Sequence, residues 1–166
     1  MKISIAIPTC ESKGRGNEFL DDLFRTLEIQ TFKDFEVVVS DHSKDDKLID
    51  VIEEFQNKLN ILYVKNENDR GNGPANTNNA INHCSGEIIK VMFQDDFFYD
   101  DEALQKIYDS FDDTHHWLVC GSNHTQDDGH SFYWDLYPRW NDKLIEGVNT
   151  ISSPSVMAVK KKVFDQ

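Results

Sequence analysis

Two adjacent acids, Asp95 and Asp96, follow a mostly apolar run, IIKVMF, after a single glutamine. Such a run is typical of a buried strand, and a carboxylate buried alone at its end would cost roughly several kcal/mol to desolvate. The helix that follows already has Asp100 and Asp101 as candidate caps, so it does not need the pair. The pair therefore lies in water or meets a positive group, and Mg²⁺ and Mn²⁺ prefer such oxygen ligands.

Polar residues also follow three other apolar runs, at the points where those runs end. In open α/β sheets, ligands bind where the carboxyl ends of the strands meet. If the runs are parallel strands, we expect their polar residues to converge with the acids at one edge. These residues are Pro8, Thr9 and Glu11 after the first run, Asp41 after the second, and the loop Asn66–Gly73 after the third.

Each of these residues also has a purely structural interpretation. Asp41 is a favoured residue for starting a turn or capping a helix, and Glu11 could simply be solvated. Gly71 and Gly73 permit close approach to a ligand, but they also make a turn. The sequence alone leaves these alternatives open.

The elements that must position these residues alternate along the chain. Apolar strands alternating with amphipathic helices predict an α/β fold, with a mainly parallel sheet covered on both faces. After residue 121 the texture changes, and we expect β-structure that is added to the same sheet. The predicted strands are Ile3–Ile7, Phe35–Ser40, Ile61–Lys65, Glu87–Phe93, Trp117–Gly121, Phe132–Tyr137 and Ser155–Lys160. The predicted helices are Glu18–Gln30 capped by Asn17, Lys44–Leu59, Pro74–His83, and a fourth that is capped by Asp100 or Asp101 and carries Leu104–Phe111.

Composition limits the class of protein. The 166 residues suit one domain, and 39% hydrophobic residues are enough for a core. A net charge of −13 makes nucleic acid an unexpected partner. No run approaches the roughly 20 apolar residues of a membrane span, and three scattered cysteines favour a reducing compartment. We expect a cytoplasmic protein, or one peripheral to a membrane.

Three segments resemble family 2 glycosyltransferases of the GT-A fold: SIAIPTCES, EFLDDLFRTLEIQTFKDFEVVVSDHSKDD and GNGPANTNNAINHCSGEIIKVMFQDD. Their motifs occur in order and at family spacing from Lys2 to about Phe111. The later NTISSPSVMAVKKKVFD is similar to the acceptor-side segment of such enzymes. The resemblance implies a three-layer α/β/α sandwich with a mainly parallel, Rossmann-like sheet. It also implies a single domain over residues 1–166, with 1–98 binding the nucleotide-sugar and 99–166 beginning an incomplete acceptor-side part.

The resemblance further implies a nucleotide-diphosphate sugar donor, with a UDP- or dTDP-sugar favoured, and a divalent metal, Mn²⁺ or Mg²⁺. The acceptor would be a saccharide or a lipid-linked saccharide. Many relatives carry a second acid after the base-binding Asp, and here that position is His42. The site residues implied are Pro8, Thr9 and Glu11 around the nucleoside, Asp41 on the base, Arg70 and Asn76 near the nucleotide or diphosphate, Asp95 on the ribose side, and Asp96 on the metal.

Family 2 enzymes transfer the sugar with inversion, assisted by a general base downstream of the SPSV-like segment. No residue up to Gln166 matches that position. Asp127, Asp128 and Asp165 are available acids in other positions. We therefore expect the base beyond Gln166, and a chain that is a fragment or a short form. A positioned base contributes about 10²–10⁴-fold to the rate.

Three rival interpretations remain. The first is a nucleotide-sugar-binding module with little or no turnover, because the general-base segment is missing. The second is a nucleotidyltransferase of similar fold, for which the segment Lys13–Gly16 gives a faint version of a basic, glycine-rich phosphate loop. The third is a receiver domain, but its acidic residues would have to follow the first and third strands, which here end in Pro-Thr and Lys-Asn.

Overall fold

The computed structural model describes residues 1–11, 14–125, 132–138 and 151–164. These residues form a mixed α/β fold with helices on both sides of a central sheet. The strands are β1 (Ile3–Thr9), β2 (Phe35–Asp41), β3 (Ile61–Lys65), β4 (Ile88–Val91), β5 (Trp117–Val119), β6 (Ser122–Thr125), β7 (Phe132–Leu136) and β8 (Met157–Lys160). The helices are α1 (Gly16–Glu28), α2 (Ile49–Phe55), α3 (Gly73–His83) and α4 (Ala103–Asp109), with 3₁₀ turns at Pro154–Val156 and Lys161–Val163.

The central sheet has six strands in the order β3-β2-β1-β4-β8-β5. The first four strands are parallel, so their carboxyl ends share one edge, which we call the carboxyl edge. β8 runs antiparallel between β4 and β5. β6 and β7 pair only with each other, as a separate two-stranded sheet.

Alternate residues of the strands fill two cores, as the twofold period of a strand requires. On one face, Ile5 and Val37 pack with buried residues of α1, α2 and α4. On the other face, Ala6 and Val38 pack with Ala80 and its neighbours in α3. The predicted three-layer α/β/α arrangement with a mainly parallel sheet is confirmed.

Two predicted helix boundaries are wrong. Asn17 lies inside α1, which starts at Gly16, and the N-cap position is Arg15. α2 covers only Ile49–Phe55, so it is shorter than predicted at both ends. Before its start, the Lys65 ammonium binds the Asp45 carbonyl and the Asp46 carboxylate and holds that segment at the end of β3.

The tail agrees with the prediction in part. The strand predicted over Ser155–Lys160 is present as β8 and is added to the central sheet, where it lies between β4 and β5. Ala158 in β8 is fully buried at this place. β6 and β7 form their own sheet and are not added to the central one.

The predicted start of α3 is right, with Pro74 in its first turn and the Asn72 side chain accepting from the Ala75 N–H. α4 begins at Ala103, after Glu102, and neither Asp100 nor Asp101 is its N-cap.

The residues that lead into β4 are fixed by one carboxylate. Glu36 Oε1 accepts hydrogen bonds from the Ser4 hydroxyl at 2.6 Å and the Ser85 N–H at 2.6 Å. Burial alone would raise the pKa of Glu36, but these hydrogen bonds hold it below its ordinary value. The Gly86 N–H donates to the Ser4 hydroxyl at 2.7 Å, which brings the chain directly over β1.

Among the described residues, no helix combines the length and the apolar character needed to cross a bilayer.

We expect Gly86→Ala to destabilise the fold. A Cβ at this position would lie 2.7 Å from the Ser4 nitrogen and 2.8 Å from the Ile3 carbonyl carbon, and backbone cannot yield cheaply. The free energy of unfolding, measured by urea titration, should fall by about 1–3 kcal/mol. Gly73→Ala is the matched control, because a Cβ there meets no atom within 4 Å; it should leave stability unchanged or raise it by about 0.4–1 kcal/mol. Equal stabilities of the two variants would contradict the close approach.

Candidate functional site

The adjacent acids lie at the carboxyl edge, where the chain leaves β4. The Met92 N–H still donates to the Ala6 carbonyl of β1 at 2.9 Å, and the chain then turns, with the Asp96 N–H donating to the Phe93 carbonyl at 3.1 Å. Asp95 is exposed and Asp96 is half-buried. We call Asp95 and Asp96 the acid pair.

Gln94 fastens this turn to the end of β1. Its Oε1 accepts from the Cys10 N–H at 3.0 Å and from the Thr9 hydroxyl, and its Nε2 donates to the Cys10 carbonyl at 3.0 Å. The side-chain amide thus pairs with both backbone groups of one residue. The sequence argument did not select Gln94. Its one signal was a side chain with both a donor and an acceptor between a buried strand and the acids.

Ser155 fixes the turn from the opposite side. Its hydroxyl accepts from the Phe93 N–H at 2.9 Å, and it lies near enough to the Asp96 carboxylate to lower the pKa of that group. Burial raises the pKa of Asp96, and the neighbouring Asp95 raises it further; Ser155 and Lys90 oppose the rise without cancelling it. Ser155 belongs to the 3₁₀ turn before β8, so the segment that resembles an acceptor-side motif lies directly against the acid pair.

The chemistry of the acid pair fits a hard divalent cation. No lysine or arginine of the described chain forms an ion pair with either carboxylate. The described residues also contain no group of three or more His, Cys, Asp or Glu that could hold a metal by itself. Mg²⁺ is commonly held by one or two carboxylates together with substrate phosphates and water. The pair therefore fits Mg²⁺ or Mn²⁺ as a partial ligand set that a phosphate ligand completes.

Asp41 ends β2 and is fully buried. Its Oδ1 accepts from the Ser43 N–H at 2.7 Å, and its Oδ2 accepts from the Tyr63 hydroxyl at 2.7 Å and from the Lys65 ammonium at 3.2 Å. Burial and the Asp41 carboxylate raise the pKa of Tyr63, so its hydroxyl remains a donor. The bond to Ser43 is the turn that the structural interpretation anticipated. Three of the roughly four acceptor positions of this carboxylate are used within the protein, and the side chain is fully buried, so its contact with a base stays a prediction.

Glu11 is not simply solvated. Its carboxylate accepts from the Gly14 N–H at 2.6 Å and the Gly16 N–H at 3.2 Å, so it supplies the acceptor at the start of α1 that was expected from Asn17. The Glu11 N–H donates to the Ser43 hydroxyl at 2.6 Å. The solvated interpretation of Glu11 is wrong, and its contact with a nucleoside stays a prediction.

Pro8 and Thr9 lie beside the end of β2. The register pairs Pro8 with Ser40 and Thr9 with Asp41. Thr9 is buried, and its hydroxyl donates to Gln94. The first strand, the second strand and the acid turn therefore meet at one place on the carboxyl edge, as the sequence predicted.

Asn76 has no polar atom left for a ligand. Its Nδ2 donates to the Thr9 carbonyl at 3.1 Å and the Ser40 carbonyl at 2.9 Å, and its Oδ1 accepts from the Ser40 hydroxyl at 2.7 Å and Asn66 Nδ2 at 3.1 Å. An amide offers two donors and two acceptor positions, so all four are used. Asn76 joins the ends of β1, β2 and β3, and Asn79 adds a bond to the Ser40 hydroxyl.

Arg70 lies in the loop between β3 and α3, next to Gly71 at φ +87°. It is exposed and pairs with Glu67 at 3.2 Å. Burial raises the pKa of the Cys10 thiol, Asp41 and Glu11 add to the rise, and Arg70 opposes it. The predicted contact of Arg70 with the nucleotide or diphosphate remains open.

The candidate acids for a general base, Asp127, Asp128 and Asp165, lie outside the described residues.

The model of the family described as "Glycosyl transferase family 2" matches residues 4–164. The chain belongs to this family. Among curated relatives, a poly(ribitol-phosphate) beta-N-acetylglucosaminyltransferase, TarS of Staphylococcus aureus, is 31% identical over 119 residues, which are 70% of this chain and 20% of that protein. A GalNAc(5)-diNAcBac-PP-undecaprenol beta-1,3-glucosyltransferase of Campylobacter jejuni is 29% identical over 96 residues, 57% of this chain and 30% of that protein. The chain thus spans less than a third of the length of either relative.

Solved structures of glycosyltransferases share the fold. The structure of TarS 1–349 of S. aureus in complex with UDP-GlcNAc is similar over 99% of this chain and 47% of the TarS chain, at 22% identity and a TM-score of 0.76. The structure of the mannosyltransferase PcManGT from Pyrobaculum calidifontis, in complex with GDP-Man and Mn²⁺, is similar over 99% of this chain and 46% of the PcManGT chain, at 17% identity and a TM-score of 0.69. The chain of this family member therefore has the GT-A fold that its sequence motifs predicted.

We expect Asn76→Asp to destabilise this family 2 domain strongly. The new carboxylate oxygen would face the Thr9 and Ser40 carbonyl oxygens in place of a donor, and the site is buried. The free energy of unfolding at neutral pH should fall by about 3 kcal/mol. Because this environment raises the pKa of the new acid, it stays protonated at low pH, and the loss should grow as the pH rises.

The matched control is Asn78→Asp, which introduces the same charge at an exposed position of the same helix. It should change stability by less than about 0.5 kcal/mol. Equal losses in the two variants, measured by urea unfolding at two pH values, would refute the bonding assigned to Asn76.

Proposed function

We propose that this chain is the donor-binding part of a glycosyltransferase that moves a sugar from a nucleotide-diphosphate donor to an acceptor hydroxyl, with inversion and with a divalent metal. The observation that carries the proposal is the acid pair, held at the carboxyl edge by Gln94 and Ser155, and without a lysine or arginine partner among the described residues. A UDP- or dTDP-sugar is the favoured donor. Solved complexes of the relative TarS with UDP and with UDP-GlcNAc support the first choice.

The proposed roles follow the geometry of the edge. Pro8, Thr9 and Glu11 lie around the nucleoside, Asp41 recognises the base, and Arg70 approaches the diphosphate. Asp95 meets the ribose side and Asp96 holds Mn²⁺ or Mg²⁺. A metal bound there would offset the diphosphate charge and stabilise the nucleoside diphosphate as it leaves. We assign Asn76 a positioning role, because its amide is already fully bonded within the protein.

The acceptor half belongs to the proposal as well. Residues 1–98 form the nucleotide-sugar part, and 99–166 begin the acceptor-side part, with Ser155 at the junction beside Asp96. The relative from C. jejuni is named for an undecaprenol-linked substrate, which supports a saccharide or lipid-linked saccharide acceptor and a place in the cytoplasm or at its membrane surface.

A binding module without turnover is the second candidate. It is favoured by one observation, the absence of an assignable general base among the described residues.

The nucleotidyltransferase alternative would need free N–H groups in the loop before α1 to hold a triphosphate. The Gly14 and Gly16 N–H groups are instead bonded to the Glu11 carboxylate, so the structure disfavours it. The family match excludes a receiver domain.

Calorimetry with UDP, dTDP and GDP, with and without Mn²⁺, tests the donor site. We expect Mn²⁺ to strengthen the binding of at least one nucleotide, because the acid pair and the diphosphate otherwise repel each other. Asp96→Ala should remove this metal-dependent gain, a loss of at least about tenfold or 1.4 kcal/mol, while the far-UV circular dichroism stays that of the wild type.

Asp113→Ala is the matched control, since it removes an equal charge from an exposed residue near the start of β4. It should bind nucleotide like the wild type. Full metal-dependent binding by Asp96→Ala would refute the site. Release of UDP from UDP-GlcNAc by the longer protein, but not by this chain, would separate the transferase from the binding module.

The raised pKa of Asp96 predicts how Mn²⁺ binding depends on pH. Burial keeps a proton on this carboxyl to a higher pH than on an exposed aspartate, and a protonated carboxyl is a poor ligand. Mn²⁺ binding without nucleotide, followed by electron paramagnetic resonance, should therefore weaken as the pH falls, and the weakening should begin above the ordinary aspartate range. A titration curve centred near pH 4, as for an exposed acid, would contradict the assignment.

A further inference from the structure

A lysine is buried beneath the acid pair. Lys90 is the third residue of β4 and is only 2% exposed. No carboxylate of the described residues forms an ion pair with it. Burial lowers the pKa of Lys90 to about 8, although Cys120 and Asp96 oppose this effect. A buried charge is costly unless hydrogen bonds and nearby charges compensate it, so an apolar residue would suit this strand position better on stability alone.

The ammonium of Lys90 is bonded mainly to backbone. It donates to the Ser155 carbonyl and to the Val91 carbonyl, the latter at 3.1 Å. Two uncharged groups also lie near the ammonium: the Met92 sulfur lies at 3.9 Å, and the centroid of the Phe98 ring lies at 5.9 Å. The bond to the Ser155 carbonyl therefore joins β4 to the turn before β8, across 65 positions of sequence.

Ser155 passes this link on to the acid pair. While its carbonyl accepts from Lys90, its hydroxyl accepts from the Phe93 N–H, the backbone group that also begins the turn carrying Asp95 and Asp96. The Ser155 N–H is in turn bonded to the Ser153 hydroxyl at 3.1 Å, so the turn itself is rigidly shaped. One residue is thus held at its carbonyl by a buried cation and holds the acid turn with its side chain.

We propose that Lys90 is a positioning residue for metal-dependent donor binding, which acts by fastening Ser155 over the acid turn so that the Asp96 carboxylate is held in one place. This inference rests on the proposed function, because it assigns Asp96 to a metal. It adds a residue that contacts neither the metal nor the donor. The ammonium also lies near enough to Asp96 to attract it, so it partly balances the acid pair before any cation arrives.

Lys90→Met and Ser155→Ala test the link. Methionine keeps the length and apolar character of the stem but removes the charge and the donors; alanine removes the hydroxyl and leaves the carbonyl. We expect each variant to lose about tenfold or more of the Mn²⁺-dependent affinity for UDP. The affinity for uridine, which has no phosphate, should stay within about twofold of the wild type, a selectivity that general destabilisation would not produce. Because both variants break one chain of contacts, the double variant should be no weaker than the weaker single variant.

Lys33→Met is the matched control. Lys33 is exposed in the loop between α1 and β2, away from the carboxyl edge, and the variant makes the same change of charge. It should bind Mn²⁺ and UDP like the wild type. If Lys90→Met does not fold, Ser155→Ala decides alone, because it leaves the buried ammonium and its carbonyl partner in place.

Hydrogen exchange at the Phe93 amide separates this inference from the proposed function. That N–H donates to Ser155, so its exchange should accelerate at least about tenfold in both variants without any ligand. If the wild type shows no metal-dependent binding but Phe93 exchange accelerates, the proposed function fails and the link stands. If folded variants bind Mn²⁺ and UDP like the wild type, or if their losses simply add in the double variant, the positioning role is refuted.

Discussion

Mutual repulsion between two neighbouring carboxylates is the constraint on which this structure depends. Asp95 and Asp96 would drift apart into water if the turn that carries them were free, so their place must be imposed by its surroundings. Gln94 binds the turn to the end of β1, and Ser155 binds it from the segment before β8. The acids therefore lie at the carboxyl edge because two distant parts of the chain bind the turn that carries them. An electrostatically unfavourable arrangement is kept ready for a ligand that relieves it.

Asparagine and serine side chains hold the rest of the edge together. Asn76 of α3 donates to the backbone carbonyls of Thr9 and Ser40, at the ends of β1 and β2. Asn79, one turn further along the same face, completes the network through Ser40. The motif A-N-x-x-N is thus explained by the interior of the protein, with its asparagines spaced to meet one edge. Asp41 and Glu11 likewise bind backbone N–H groups before any ligand is considered.

Short stretches of sequence predicted those elements of the fold that depend on neighbouring residues. The apolar runs of β1 and β2 and the proline in the first turn of α3 could be recognised, because burial on both faces favours continuous apolar residues and proline suits the first turn of a helix. The acid pair was legible because its residue type conflicts with the strand before it. The roles of Lys90 and Gln94 could not be recognised from the sequence, since their hydrogen-bonding partners lie 65 and 84 positions away. The same holds for β8, whose place between β4 and β5 depends on pairing that no short window records.

The insertion of β8 has a consequence for the order of assembly. β1 to β4 can associate soon after they leave the ribosome, through short βαβ connections. The turn that carries Asp95 and Asp96 must then wait until residues 153–160 have been made, since the Phe93 N–H donates to Ser155, just before the antiparallel strand that pairs with β4. Non-local contacts of this kind form slowly relative to helices and hairpins. A nascent chain would thus assemble the ends of β1, β2 and β3 first and fix the neighbouring carboxylates last.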